Sequence, residues 1–345
     1  MTSTFNVEPS TQPPRSPKAP KWRTWLGLGV AGLVGGLWLM NVLEQQTFEK
    51  GMQAYNKGDC VAAMTQFERV IGDRTPSTTD SDDIVARAQA KKAECQAFQA
   101  ATSNQASVAA QLGKTTQFIQ KYPDSGLVAD LRRTLDQRVK QTNAQSLATS
   151  ATCQQLDRIK AANLMSAAPE KLPILYQTCG RLFASGKKLP EAIAVYEQFL
   201  SQFPNHPLQD TVKQAYAEAL VQDGKAQGGG TIAPPGQIGQ TSDGSTMVTI
   251  RNDSNEAIRI VFSGPTPRVE ELPPCKNCEE YTPSNLPDRC PGKGTQASYT
   301  VESGTYQVMV KSIGTRRVKP FTGSWNLEGG SEYGQCFYIV REAAL

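Results

Sequence analysis

The residues of this chain best equipped for chemistry are its eight cysteines, which are distributed in even sets. Cys60 and Cys95 lie in a first helical stretch, Cys153 and Cys179 in a last one, and Cys275, Cys278, Cys290 and Cys336 in a C-terminal region of alternating pattern. Spacings of 35 and 26 residues suit disulfides between neighbouring helices, Cys60 to Cys95 and Cys153 to Cys179; the competing reading is buried free thiols. The C-terminal four admit three chemistries. A four-thiolate zinc site is one, although a zinc ribbon usually supplies a second CxxC. A redox-active CxxC is another, weakened by the flanks of PPCKNCEE, which offer no helix N-terminus to lower a thiol pKa. Two structural disulfides are the third and favoured one, holding the Pro-rich excursion from Leu272 to Gly294 against the strand that carries Cys336. Which of the three pairings they take stays open.

Other chemistry is scarce. The chain has one histidine, His206, after Phe-Pro-Asn in a helix-helix turn, so a site needing two histidines is excluded and a nucleophile would have a single base. Asp253, Glu256 and Glu332 are acids near turns with nothing to show that they converge. There is no P-loop, Rossmann fingerprint, G-x-S-x-G or HExxH. The expectation is a binding protein rather than an enzyme, with no cofactor and no metal. Net charge is +4, of which the N-terminal tail supplies most, so the body carries no electrostatic footprint for nucleic acid.

Five segments must position these residues. Residues 1–22 are rich in Pro, Ser and Thr and read as a disordered cytoplasmic tail. Over 23–43 the run from Thr24 to Leu43 has no charge and at 1.5 Å per residue spans roughly the 30 Å of a bilayer core. With Arg15, Lys18, Lys21 and Arg23 before it, it reads as a single-pass transmembrane helix with the N-terminus cytoplasmic and the bulk periplasmic, lumenal or extracellular. Gly32 and Gly36 form a GxxxG pair that would let two such helices dimerise. Residues 44–223 read as helix hairpins: Val108, Leu112, Ile119 and Tyr122 share one face, as do Leu127, Leu131, Leu135 and Val139. Residues 224–245, crowded with Gly, Pro, Gln and Ser, read as a flexible linker. Residues 246–345 hold short β-branched and aromatic runs between Asn-Asp-Ser, Ser-Gly and Gly-Gly turns, which predicts an antiparallel β-sandwich.

The segments QFIQKYPDSGLVADL and QFLSQFPNHPLQDTV are similar at a separation of 81 residues, which points to repeats. In the first hairpin Gly51, Ala63 and Phe67, and in the last Gly180, Ala192, Tyr196, Phe199 and Pro204, stand at the small and aromatic packing positions of a tetratricopeptide repeat (TPR). Residues 44–223 therefore resemble the TPR family, with Gln111 standing in the middle where the hairpin alanine belongs and the last helix, from about Pro207 to Gln222, similar to a solvating cap. GTYQVMV resembles the penultimate strands of immunoglobulin-like modules. The resemblance implies an α+β multidomain protein whose TPR-like solenoid binds a protein partner, as a membrane-anchored scaffold or assembly factor. The alternative is a cell-wall or glycan-binding protein in which Trp325, Tyr333 and Tyr338 stack on sugar rings.

Overall fold

The computed structural model describes residues 42–72, 83–282, 284–287, 291–314 and 318–340. The chain divides into two compact units, Met1–Gln99 and Ala100–Leu345.

In the first unit a helix over 42–56, α1, is followed by α2 (Cys60–Ile71) and α3 (Ile84–Thr102), and the division falls near the end of α3. The side chain of Asp59 caps α2 by accepting from the Ala62 N–H at 3.0 Å, which satisfies one of the amides a helix start leaves open. Phe48, Tyr55, Ala63, Phe67, Val70, Val85 and Ala88 are buried in its core, and Cys60 is bridged to Cys95.

The second unit begins with α4 (Val108–Lys121) and α5 (Val128–Gln141), then short turns of helix, α6 (Ser150–Cys153) and α7 (Leu156–Ala161). There follow α8 (Lys171–Ser185), α9 (Leu189–Gln202) and α10 (Gln209–Gln227). Leu127, Leu131, Leu135 and Val139 all turn inward. Lys171 caps the end of α5 from outside: its Nζ donates to the carbonyls of Val139, Lys140 and the C-cap Thr142 at 2.8, 2.6 and 2.9 Å, where a helix runs out of its own N–H donors. Gln111 is buried, and its Nε2 donates to the Ser103 carbonyl at 2.8 Å, tying α4 to the preceding turn where an alanine would only fill space.

The strands form two sheets. One runs in the order β1 (Gly230–Thr231), β8 (Phe321–Leu327), β7 (Gly304–Ser312), β4 (Ile258–Ser263), β5 (Arg268–Leu272). The other runs β2 (Gly236–Gln240), β9 (Ser331–Phe337), β3 (Thr246–Asn252), β6 (Thr295–Val301). Alternation along β3 and β7 buries Val248, Ile250, Tyr306, Val308 and Val310 in an apolar core that both sheets share with Phe262 and Trp325. The Tyr306 hydroxyl donates to the Glu302 carbonyl at 2.9 Å, closing the turn before β7.

Several expectations need correction. The sheets are mixed, not an antiparallel sandwich: β1 runs parallel to β8, and β3 parallel to β9 with Val248 opposite Tyr333. The cause is that β9, arriving from the C-terminal end, inserts between β2 and β3 in the direction β3 runs. The transmembrane helix and the membrane localisation drawn from it are not upheld either. Among the described residues no helix is long and apolar enough to cross a membrane. The longest, α3 and α10, are 19 residues each and carry Arg87, Lys91, Lys92 and Glu94, or Asp210, Lys213, Glu218 and Asp223. Residues 1–22, and 23–43 apart from Val42 and Leu43, lie outside the described residues, as do Gly32 and Gly36.

Residues 224–245 are not a free linker. They complete α10, pair β1 with β8 and pair β2 with β9. Nor does α10 act as a solvating cap, because it packs on β4, β7 and β8 and its buried Val212, Tyr216, Ala217, Leu220 and Val221 join a core that includes Val261 and Met309 of the sheet. Gly224 permits the approach, since a Cβ there would lie 2.8 Å from Met309 Cγ.

Candidate functional site

Each unit contains a hairpin with the same internal seam. In the first, Gly51 on α1 faces Phe67 on α2, and a Cβ at Gly51 would stand 2.6 Å from the ring. In the second, Gly180 on α8 faces Tyr196 on α9, where a Cβ would stand 2.2 Å from the ring. In both the aromatic lies sixteen residues after the glycine, with a fully buried alanine, Ala63 or Ala192, twelve residues after it. Phe199 packs beside Phe203 with ring centroids 5.3 Å apart. Pro204 differs from its expected packing role: it is exposed and serves to stop α9. Burial pushes the Tyr196 hydroxyl up to about 12, with Arg181 opposing and Glu218 adding to it.

Between α10, β4 and the turn into β5 lies a cleft of about 1070 Å³ walled by charge. Arg259 holds Glu271 through Nε and Nη2 at 3.0 and 2.7 Å and lies 3.9 Å from Glu197, whose Oε1 also accepts from the Tyr216 hydroxyl at 2.6 Å. Burial lowers the Arg259 pKa, but the Glu271 hydrogen bonds and the nearby negative groups outweigh it and the net direction is up. For Tyr216 the direction is up as well, from burial first and then from Glu197. Further along, Arg268 donates to Glu270 at 3.1 Å and to the Thr300 carbonyl at 3.2 Å. Asp210 and Lys213 on α10 and Glu302 complete the lining. Cations and carboxylates alternate along the walls, which suits a polar ligand with charges of both signs.

A third cluster surrounds the CxxC. The last residue of β3, Asn252, and the turn after it, with Asp253, Ser254 and Glu256, are buried and all polar. Asn252 Nδ2 donates to the carbonyls of Glu256 and Pro273, both at 2.9 Å, and the Cys275 N–H donates to the Ser254 carbonyl at 2.7 Å. Asp253 accepts from the N–H groups of Gly292 and Gly294. These bonds fasten the excursion after Leu272 to the end of β3, which is what buried polar groups require.

Cys275 and Cys278 are bridged to each other, so this disulfide does not hold the excursion against β9. Cys336 is also disulfide-bonded, and Cys290 lies outside the described residues. Cys153 and Cys179 are bridged, joining α6 to α8. Among the described residues no group of three or more His, Cys, Asp or Glu could hold a metal.

Of the acids near turns, Asp253 and Glu256 share the buried turn while Glu332 sits on β9 opposite Met247. His206 packs edge-on to Phe199, and its Nδ1 accepts the Leu208 N–H at 3.2 Å. Trp325 and Tyr333 are buried, with Trp325 Nε1 donating to the Ala233 carbonyl at 3.1 Å, so neither presents a face to a sugar; Tyr338 packs on Tyr281. Sequence reading missed the charged cleft, because Lys213, Arg259 and Arg268 come from separate elements with no shared motif. No protein-family model matches this chain, and no curated protein is similar to it.

Proposed function

We propose that this chain is a protein-interaction scaffold with TPR-like hairpins, a binding protein rather than an enzyme, whose charged cleft beside α10 receives a segment of a partner protein. The observation that carries the reading is the recurrence, in hairpins of separate units, of glycine, alanine and aromatic at identical spacing with the glycine pressed on the ring. Helix pairs built this way are units of repeat architectures, whose common use is the display of side chains to a polypeptide. The cleft beside α10 supports the same reading, since its mixed charge matches a peptide better than a polyanion such as nucleic acid.

The test is site-specific photo-crosslinking in the full-length protein. A crosslinker at Lys213, on the cleft, should capture one partner reproducibly, and Arg268→Glu should abolish that capture while leaving the melting curve in place. If the Lys213 position captured nothing beyond what a crosslinker at Lys140 on α5 captures, the scaffold reading would fall.

A further inference from the structure

The Cys275–Cys278 bridge spans 3 residues of sequence, against 35 and 26 for the helical bridges. A cross-link limits the unfolded chain more as its loop lengthens, so this one contributes least to holding the fold. Its surroundings are nevertheless fixed by hydrogen bonds of Asn252, Asp253 and Ser254. The two residues also differ in burial. Cys275 is buried and its backbone is anchored, while Cys278 is half-exposed next to the exposed Lys276 and Asn277.

Each sulfur faces an oxygen acceptor. Cys275 Sγ lies 3.6 Å from the Lys293 carbonyl, and Cys278 Sγ lies 3.9 Å from Asp253 Oδ1. A disulfide sulfur has no proton to give, so these oxygens receive nothing from the bridge. Reduction would create two S–H donors opposite acceptors that are already in position and held there by other bonds. The surroundings thus accommodate the dithiol as well as the disulfide, a property a purely structural bridge has no use for.

We infer that Cys275 and Cys278 form a reversible thiol–disulfide exchange site that accepts electrons from an external dithiol, a role separate from the scaffold function. One thiolate of the reductant attacks Cys278 Sγ, on the less buried residue of the pair. A mixed disulfide forms, and Cys275 Sγ leaves as a thiolate that takes up the proton the first thiol gave up. The second thiol of the reductant, deprotonated in turn, attacks its own sulfur in the mixed disulfide. That closes the reductant's disulfide and releases Cys278, which takes up the second proton. Two electrons and two protons have then passed to the pair, and the reductant is oxidised by the same amount.

The experiment exposes the full-length folded protein to graded ratios of reduced and oxidised dithiothreitol, followed by thiol alkylation, peptide mass mapping and circular dichroism. Cys275 and Cys278 should be labelled together while Cys60, Cys95, Cys153 and Cys179 stay unlabelled and the spectrum is unchanged, and removal of the reductant should restore the bridge. If the pair is labelled only together with the helical bridges, or only as the spectrum is lost, the inference is overturned. Single variants test the assignment of the attacked sulfur. With oxidised glutathione as probe, C275S should acquire a mixed disulfide at least about tenfold faster than C278S, since access controls such exchange. Equal rates, or the reverse order, would remove Cys278 from that role.

Discussion

Replacing Gly180 with alanine tests the hairpin seam directly. Away from tertiary contacts the change should help, because glycine in a helix interior is disfavoured relative to alanine by roughly 0.5 to 1 kcal/mol. Here the new methyl carbon would stand 2.2 Å from Tyr196 Cε1 and 2.7 Å from both Cδ1 and Cζ, well inside contact distance. The ring has no room to retreat, as Tyr196 is 1% exposed and embedded in the core of the unit. Overpacking of this kind costs about 1 to 3 kcal/mol, and an approach of 2.2 Å belongs at the upper end, so subtracting the helix gain leaves a net loss of about 2 to 2.5 kcal/mol. For a unit of this size that is a fall in Tm of roughly 4 to 10 °C.

The assay is thermal and urea unfolding followed by circular dichroism with the disulfides intact. A double-mutant cycle with Tyr196→Leu should show strong favourable coupling, since the smaller side chain vacates the space the methyl needs. As a control, Gly126→Ala meets no atom within 4 Å and should be neutral. A Gly180→Ala protein as stable as the wild type, or more so, would refute the close crossing of α8 and α9 and with it the argument from repeat geometry.

Two further outcomes are expected. Lys171→Met should lower stability by about 1 to 2 kcal/mol in urea unfolding, because the two last-turn α5 carbonyls and that of the Thr142 cap lose their cationic partner, and Lys171→Arg should recover part of that loss. Tyr196 and Tyr299 both have hydroxyls held up to about 12, against an ordinary 10.0, burial being the first cause in each. The folded state therefore keeps these protons more tightly than the unfolded chain, so their contribution is complete below about pH 10 and is lost as the pH rises towards 12. The urea midpoint should fall through that window, and Tyr196→Phe should make the fall shallower.

Much of the helical architecture was legible because its signals are local. Leu127, Leu131, Leu135 and Val139 recur at helical spacing, and Gly51 and Gly180 precede their aromatic partners by the same interval, so neither needs knowledge of distant sequence. The segment 224–245 misled for a physical reason: glycine and proline mark flexible chain, but they also mark places where backbones meet. A Cβ at Gly229 would stand 2.1 Å from the Pro320 carbonyl oxygen, so the glycine is required by contact and not by freedom. Alternation along β3 revealed a strand but not that its neighbour would be β9, because a strand's pattern records which face is buried and not which strand lies beside it. The run from Asn252 to Glu256 read only as a turn with acids near it. The side chains of Asn252 and Asp253 are tied to backbone groups of the excursion after Leu272, a partner no local pattern could have announced. The charged cleft was invisible for the same reason, as its walls meet only after α10 has docked on the sheet.

The pairing of β1 with β8 and of β2 with β9 sets a schedule for synthesis. Gly230 leaves the ribosome about ninety residues before Phe321, its partner, and at roughly 5 to 20 residues per second that is a wait of about 5 to 18 seconds. Through that interval β3 also lacks β9, and the apolar side of α10 that will cover Val261 and Met309 has an unfinished sheet to rest on. Neither sheet can be completed from the chain already made, so the C-terminal strands act as the closing step for everything from α10 onward. Long-range pairing of this kind folds slowly and leaves strand edges open meanwhile. A ribosome that stalls between β7 and β8 would release a chain whose helices are formed and whose β region has nothing to close it, and such a product is one for chaperones or proteases to remove.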